Sequence, residues 1–154
     1  MENVFDEYGG LVLNYIKTIV GDAHQAEDVM QNVFVKLWKI EVFTISNIKA
    51  YIITAARNEA LTYIRKRSKT HIPSIVKDCQ LFSRGEDPLR KMCIEEALLQ
   101  LPQEQREIVF LKIYAQLTFQ KIADTLNIPL NTASSRYRYA MEKLSQILGE
   151  ENHE

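Results

Sequence analysis

The chain has 154 residues, is 46% hydrophobic and 25% charged, and carries a net charge of −1 at pH 7. These are ordinary globular values for one domain or two small ones, and they exclude a protein that coats nucleic acid through uniform basicity. No run approaches the ~20 apolar residues of a membrane helix, and the acidic start Met1-Glu2-Asn3-Val4-Phe5-Asp6-Glu7 is unlike a secretory signal, so a cytoplasmic protein without membrane insertion is expected.

With five glycines, four prolines and no lasting strand-like alternation, helical spacing of apolar residues dominates, and the expected fold class is all-α. The expected helices are Val4–Val20, Ala23–Trp38, Asn47–Arg67, Pro88–Gln100, Gln103–Tyr114, Thr118–Leu126 and Asn131–Leu148. The first ends at Gly21, with Asp22 placed to restart the chain as a second helix. In that second helix Met30, Val33, Phe34 and Leu37 form a core stripe, and Asp28, Gln31, Val35 and Trp38 edge toward solvent. Beside Gln and carboxylates, Trp38 could anchor a protein interface, although by pattern alone it suits core packing.

Charge is unevenly distributed. Asp22 to Ile45 carries Asp22, Glu27, Asp28 and Glu41 against Lys36 and Lys39. Asn47 to His71 carries Lys49, Arg57, Arg65, Lys66, Arg67 and Lys69 against Glu59 alone, a local +5 suited to a phosphate backbone. The third helix interleaves Ile48, Tyr51, Ile52, Ala55, Tyr63 and Ile64 with Arg57, Asn58 and Thr62, and ends Arg65-Lys66-Arg67. That ending also complements the helix dipole, a purely structural use. Phosphate contact with stacking of unpaired bases on Phe43, Tyr51 or Tyr63 is the functional alternative. Glu59, on a mostly apolar face, has no explanation in the pattern.

Ser68 to Asp87, with Pro73, Ser74, Ser83 and Gly85 and little periodicity, is a connector. Cys79 and Cys93 lack zinc-site pairing, and His24, His71 and His153 lie in separate segments, so neither a metal nor another cofactor is expected.

The C-terminal third carries the clearest signal. After Gln103–Tyr114 comes the short segment Leu117 to Leu126, which Thr118 can cap. Then follow the turn Asn127-Ile128-Pro129-Leu130-Asn131 and a long helix that starts polar. Asn127 suits a left-handed turn conformation. A short helix, a tight turn and a polar-starting second helix is the geometry that enters a DNA major groove. On a wheel of about 100° per residue, Ala133, Tyr137, Ala140, Leu144 and Ile147 face inward. Asn131, Ser135, Arg138, Tyr139 and Glu142 lie opposite, flanked by Thr132 and Ser134. The wheel alone fits an ordinary bundle helix equally well; the scaffold segment, the turn and the pair Arg136 and Arg138 point to DNA.

Taken together, these segments resemble the sigma-70 family of RNA polymerase sigma factors, of the extracytoplasmic-function (ECF) type, over about Phe5 to Leu148. The resemblance rests on Asp22 with Ala26 to Trp38, on Ala50-Tyr51-Ile52, Ala55-Ala56-Arg57-Asn58 and Tyr63 to Arg67, and on Leu101-Pro102, Arg106, Leu117-Thr118, Ile122-Ala123, Leu126, Ile128, Thr132, Ser135-Arg136 and Ala140. It implies a region 2-like bundle at 1–70, a linker at 71–93, a region 4-like helix-turn-helix domain at 94–148 and an acidic tail at 149–154. It implies a factor without enzymatic chemistry that binds core RNA polymerase and promoter DNA, directs initiation from minus-10 and minus-35 elements, promotes melting and answers to an anti-sigma factor. By position, Asp28, Gln31, Phe34 and Trp38 would dock on polymerase. Tyr51, Arg57, Asn58, Thr62, Tyr63, Arg65 and Arg67 would hold minus-10 DNA, together with the Lys39–Ser46 loop. Asn131, Thr132, Ser134, Ser135, Arg136, Arg138 and Tyr139 would read the minus-35 duplex. The chain departs from the family pattern at Tyr51 for Trp, Thr62 for Asp, Lys121 for Glu, Ala133-Ser134 for Val-Lys and Tyr139 for Arg. The last two remove positive charge from the DNA-facing helix. Two alternatives remain on the residues alone: a DNA-binding regulator that works without polymerase through the C-terminal domain, and a helical interaction protein or small enzyme, the last with no phosphate loop, metal spacing or activated nucleophile behind it.

Overall fold

A computed structural model describes residues 2–41, 44–67 and 88–151. The chain divides into two compact units, Met1–Asp78 and Cys79–Glu154. Phe43, the connector Ser68–Asp87 and residues 152–154 lie outside the described residues.

The N-terminal unit is a bundle of α1 (Glu2–Val20), α2 (Ala23–Trp38) and α3 (Ile48–Arg67), each packed on the other two. Gly21, at φ 82°, ends α1 with its N–H on the Lys17 carbonyl at 3.0 Å. A left-handed φ costs glycine nothing, because it has no Cβ to clash. Asp22 then caps α2, its carboxylate accepting from the Gln25 N–H at 3.0 Å. Asn47 does the same for α3, accepting from the Ala50 N–H at 3.1 Å. Val12, Tyr15 and Ile16 of α1 meet Val29, Val33 and Leu37 of α2 in the core. α3 contributes Ile52, Ile53, Ala56 and Ala60. The sequence pattern identified only Ile52 of these four. Its two alanines let the helices approach closely, and small residues leave little trace in a hydrophobic periodicity.

The C-terminal unit contains α4 (Pro88–Gln100), α5 (Gln103–Val109), α6 (Phe119–Leu126) and α7 (Leu130–Glu151). Residues 88–93 of the expected linker are therefore helical. α7 also runs on through Gly149 to Glu151, so the expected acidic tail begins as helix. The single helix expected over Gln103–Tyr114 changes character within its length: from Phe110 to Tyr114 it is a π-helix, with the Ala115 N–H on the Phe110 carbonyl at 3.1 Å. Ile108, Val109, Phe110 and Leu111 are all buried. Four consecutive residues nearly encircle a helix, so this segment is enclosed by its neighbours rather than lying on them with one face.

The segment ends at Gln116, held at φ 55°, with the Leu117 N–H returning to the Leu111 carbonyl at 3.0 Å. The left-handed conformation is costly for a side chain without a short local hydrogen bond. Thr118 caps α6, as the sequence suggested, accepting from the Lys121 N–H at 3.2 Å. Asn127 closes α6 in the left-handed conformation, at φ 55° and ψ 50°, also as expected. The turn is two residues shorter at its far end than the sequence suggested, because Leu130 and Asn131 already belong to α7.

Arg106 shapes this unit from inside. Its Nε donates to the Leu98 carbonyl at 3.2 Å, and Nη2 donates to the Leu99 and Leu101 carbonyls, both at 3.1 Å. These carbonyls are at the C-terminal end of α4 and just beyond it, where the helix has no N–H groups of its own left to offer. One guanidinium thus joins the end of α4 to α5. Burial pushes the Arg106 pKa down from its ordinary value, since desolvation disfavours the charged form.

Candidate nucleic-acid interface

The α6–turn–α7 segment places the first turns of α7 beside the start of α5. Between them is a cleft of ≈ 590 Å³. One wall is Pro102, Glu104 and Gln105, the entry to α5. The other is Asn131, Thr132, Ser135, Arg136 and Tyr139 of α7. Five of the seven α7 residues picked from the sequence therefore converge on one concavity. Positions 132, 135, 136 and 139 share one stripe because residues three and four apart stack on a helix surface.

The inward face behaves as the wheel required. Ala133, Ala140 and Leu144 are buried, and the Tyr137 ring packs edge-on against Phe119 of α6, centroids 5.5 Å apart. Lys112 Nζ lies over that same Phe119 ring, 4.3 Å from its centroid. These contacts fix the rotation of α7 about its axis and so decide which side chains reach the cleft.

The remaining two α7 candidates stand apart from the cleft lining. Arg138 is exposed, its guanidinium carbon 5.2 Å from the Tyr139 ring centre. Ser134 is partly covered. Tyr139 is 54% exposed, which leaves an apolar ring with a hydroxyl available at the mouth of the cleft. Arg136 leans across to α5, its Nη2 3.7 Å from Glu104 Oε2. At that separation the pair is electrostatic rather than a close hydrogen bond. The wheel gave no sign of Pro102, Glu104 or Gln105, because they belong to another helix. Only Leu101-Pro102, which marks the start of α5, hinted at that wall.

In the N-terminal unit the candidate residues lie on helix faces rather than in a cleft. Asp28, Gln31, Val35 and Trp38 are all exposed along one side of α2. Trp38 is 67% exposed, which overturns the core role its pattern favoured: the α2 stripe is complete at Leu37, and the next residue falls outside it. Exposed Ile40, which the sequence reading passed over, extends this apolar end. Phe34 differs from its neighbours in the docking set. At 8% exposure it packs edge-on against Phe5, centroids 4.9 Å apart, so it supports this face from beneath.

On α3, Tyr51, Asn58, Thr62 and Arg65 are exposed along a common side, and Arg57, Tyr63 and Arg67 are partly covered. The Thr62 hydroxyl donates to the Asn58 carbonyl at 2.9 Å, so its oxygen stays on that side. Two polar ties run from α3 to α2. Arg67 donates through Nη1 to Gln25 Oε1, and Lys36 Nζ donates to Glu59 Oε2 at 2.6 Å. The second tie accounts for Glu59: on a mostly apolar face of α3, its carboxylate is met by a lysine of the neighbouring α2. Among the described residues no group of His, Cys, Asp or Glu is arranged to hold a metal ion, and no helix is long and apolar enough to cross a membrane.

Comparison with known proteins agrees with this division. Residues 4–70 match the family model for sigma-70 region 2, and residues 91–144 match that for sigma-70 region 4. The ECF RNA polymerase sigma factor SigL of Mycobacterium tuberculosis is 29% identical, over 97% of this chain and 89% of its own length. The ECF RNA polymerase sigma factor SigW of Bacillus subtilis is 24% identical, over 95% of this chain and 87% of its own. In fold, the chain is similar to the sigma factor RpoE from Bartonella quintana, solved in complex with the anti-sigma factor NepR, with a TM-score of 0.72 at 23% identity over 97% of this chain and 98% of that one.

Proposed function

The chain belongs to the sigma-70 family of RNA polymerase sigma factors, as an ECF-type member that directs promoter-specific transcription initiation with RNA polymerase, and from that premise we propose how its surfaces share the work. Residues 1–70 dock on core polymerase and hold the minus-10 element, and 94–148, with the start of α4 before them, read the minus-35 duplex. The intervening segment is the tether.

On α2, the exposed Asp28, Gln31 and Trp38 face polymerase, with Phe34 holding that side in shape. On α3, Tyr51, Arg57, Asn58, Thr62, Tyr63, Arg65 and Arg67 hold the minus-10 strand, aromatics stacking on unpaired bases and arginines meeting phosphates. Capturing unpaired bases draws the duplex toward its open form, because the helix binds one state and not the other. On α7, Asn131, Thr132, Ser135, Arg136 and Tyr139 approach base edges, and Ser134 and Arg138 hold the backbone. The observation that carries this reading is the convergence of five α7 side chains on one cleft at the start of a helix-turn-helix second helix.

The work is done by binding energy, without covalent chemistry. Two DNA contacts, each weak alone, gain effective concentration once polymerase and tether hold them together. A chain of net charge −1 suffices, since polymerase supplies part of the phosphate contact. The protein acts in the cytoplasm, where its polymerase is. The relative from Bartonella quintana is held by an anti-sigma factor, and a protein partner of that kind restrains this chain.

The test is run-off transcription from a randomised promoter library with bacterial core polymerase, with and without this chain. Chain-dependent transcripts that share two spaced elements are expected. Their absence with a cognate core enzyme would reject the reading in favour of a regulator that works without polymerase.

A further inference from the structure

Among the residues lining the α5–α7 cleft, Glu104 and Arg136 are the two that carry charge. They face each other from opposite walls, 3.7 Å apart. Glu104 is 73% exposed, while the Arg136 side chain is 25% exposed. A carboxylate so open to water is not required for packing, yet it stands on the rim of a surface that must approach a polyanion. We propose that Glu104 is a specificity-determining residue of minus-35 recognition: it holds Arg136 away from indiscriminate phosphate contact and releases it to a matched base pair. The inference rests on the reading of α7 as the minus-35 helix.

The physical reason is a difference between the two kinds of DNA contact. A phosphate brought to the mouth of the cleft meets a fixed negative charge, and the arginine that would welcome it is already neutralised. That penalty applies to every sequence. In a matched site the guanidinium can take two acceptors of a guanine edge at once, a fork geometry that a single carboxylate oxygen at 3.7 Å does not satisfy. Freed by that exchange, the Glu104 carboxylate can accept from a cytosine amino group. The exposed ion pair is weak enough to be exchanged. Discrimination therefore comes from penalising wrong contacts as well as rewarding right ones. Glu104 also sits in the first turn of α5, where a carboxylate favours the helix, so a merely structural role predicts a loss of thermal stability and nothing else.

The experiment uses full-length chain bound to bacterial core polymerase, with Glu104→Gln, Arg136→Ala and the double variant. Binding is measured to a selected promoter duplex and to unrelated duplex DNA across a salt series. In Glu104→Gln, affinity for unrelated DNA is expected to rise about fivefold. The promoter-to-unrelated ratio should fall, and the slope of log affinity against log salt should steepen by about one phosphate contact. The slope change should vanish when Arg136→Ala is added. A Glu104→Gln ratio that is unchanged or higher, while Arg136→Ala still lowers promoter use, overturns this proposal and leaves the minus-35 reading intact. Promoter use that Arg136→Ala leaves unaltered overturns both.

Discussion

α3 and α7 both carry candidate DNA contacts, yet they present them in different ways. α3 offers a line of side chains along one exposed side, steadied from behind by Glu59 on Lys36 and Arg67 on Gln25. α7 offers half of a cleft whose other half is the start of α5. A line along one helix suits an extended single strand, read base by base through stacking and phosphate contact. A cleft at a helix start suits a duplex, whose groove edge must be met at fixed distance and angle. The lesson is that an interface confined to one helix needs only that helix's rotation to be fixed, and one shared between helices depends on whatever sets their spacing.

The comparison is broken most severely at Arg106. Arg106→Met removes the guanidinium donor from three backbone carbonyls at the end of α4, of which Leu98 keeps the Leu101 N–H. The C-terminal unit should lose about 3–5 kcal/mol in urea unfolding, and minus-35-dependent transcription should fail with it, whereas the N-terminal unit keeps its own transition. Trp38→Ala isolates the opposite case. An exposed ring contributes little to folding, so thermal stability should hold while affinity for core polymerase drops by about 2–3 kcal/mol in a competition assay. Unchanged affinity would return this end of α2 to plain solvent.

Arg138→Ala and Tyr139→Ala sharpen the α7 side. Each should cost about 1–2 kcal/mol at promoters that depend on the minus-35 element, with little change at promoters that do not, as read by initiation from paired templates. Gln116→Gly should raise the stability of the C-terminal unit by about 0.5–1 kcal/mol, since it relieves a left-handed residue at φ 55°. A lower melting temperature would show that the Gln116 side chain does something its backbone conformation conceals. The smallest effect belongs to Glu59→Gln. The Lys36 partner is largely exposed, so water screens the pair and about 0.5 kcal/mol is expected in unfolding, with minus-10 strand binding lowered slightly as α3 loses one of its ties to α2.

Much of this was open to reading in one dimension. Asp22 and Thr118 as caps, Gly21 as a stop, Asn127 as the left-handed end of α6 and the inward Ala133-Ala140-Leu144 stripe are local features. Each depends on a residue's own backbone preference or on a period of 3.6, both of which a sequence displays directly. The ordered family motifs rest on the same signals, so the fold class and the division into two helical units could be stated before any coordinates.

What periodicity missed has a common cause: contacts between residues distant along the chain. Trp38, a residue type suited to core packing, lies one residue past the buried stripe of α2. Glu59 looked misplaced until Lys36 was seen to reach it across 23 positions. Arg106 matched a motif, yet its guanidinium is spent on the carbonyls ending α4. The wall formed by Pro102, Glu104 and Gln105 lies on a different helix from the residues it faces. Sequence by itself determined which helices form, where α1 and α6 stop and which face of α2 and α7 is buried, because those depend on nearest neighbours in the chain. Tertiary structure alone decided which exposed residues meet and which charges are already paired, because helix packing brings together positions that no local pattern relates.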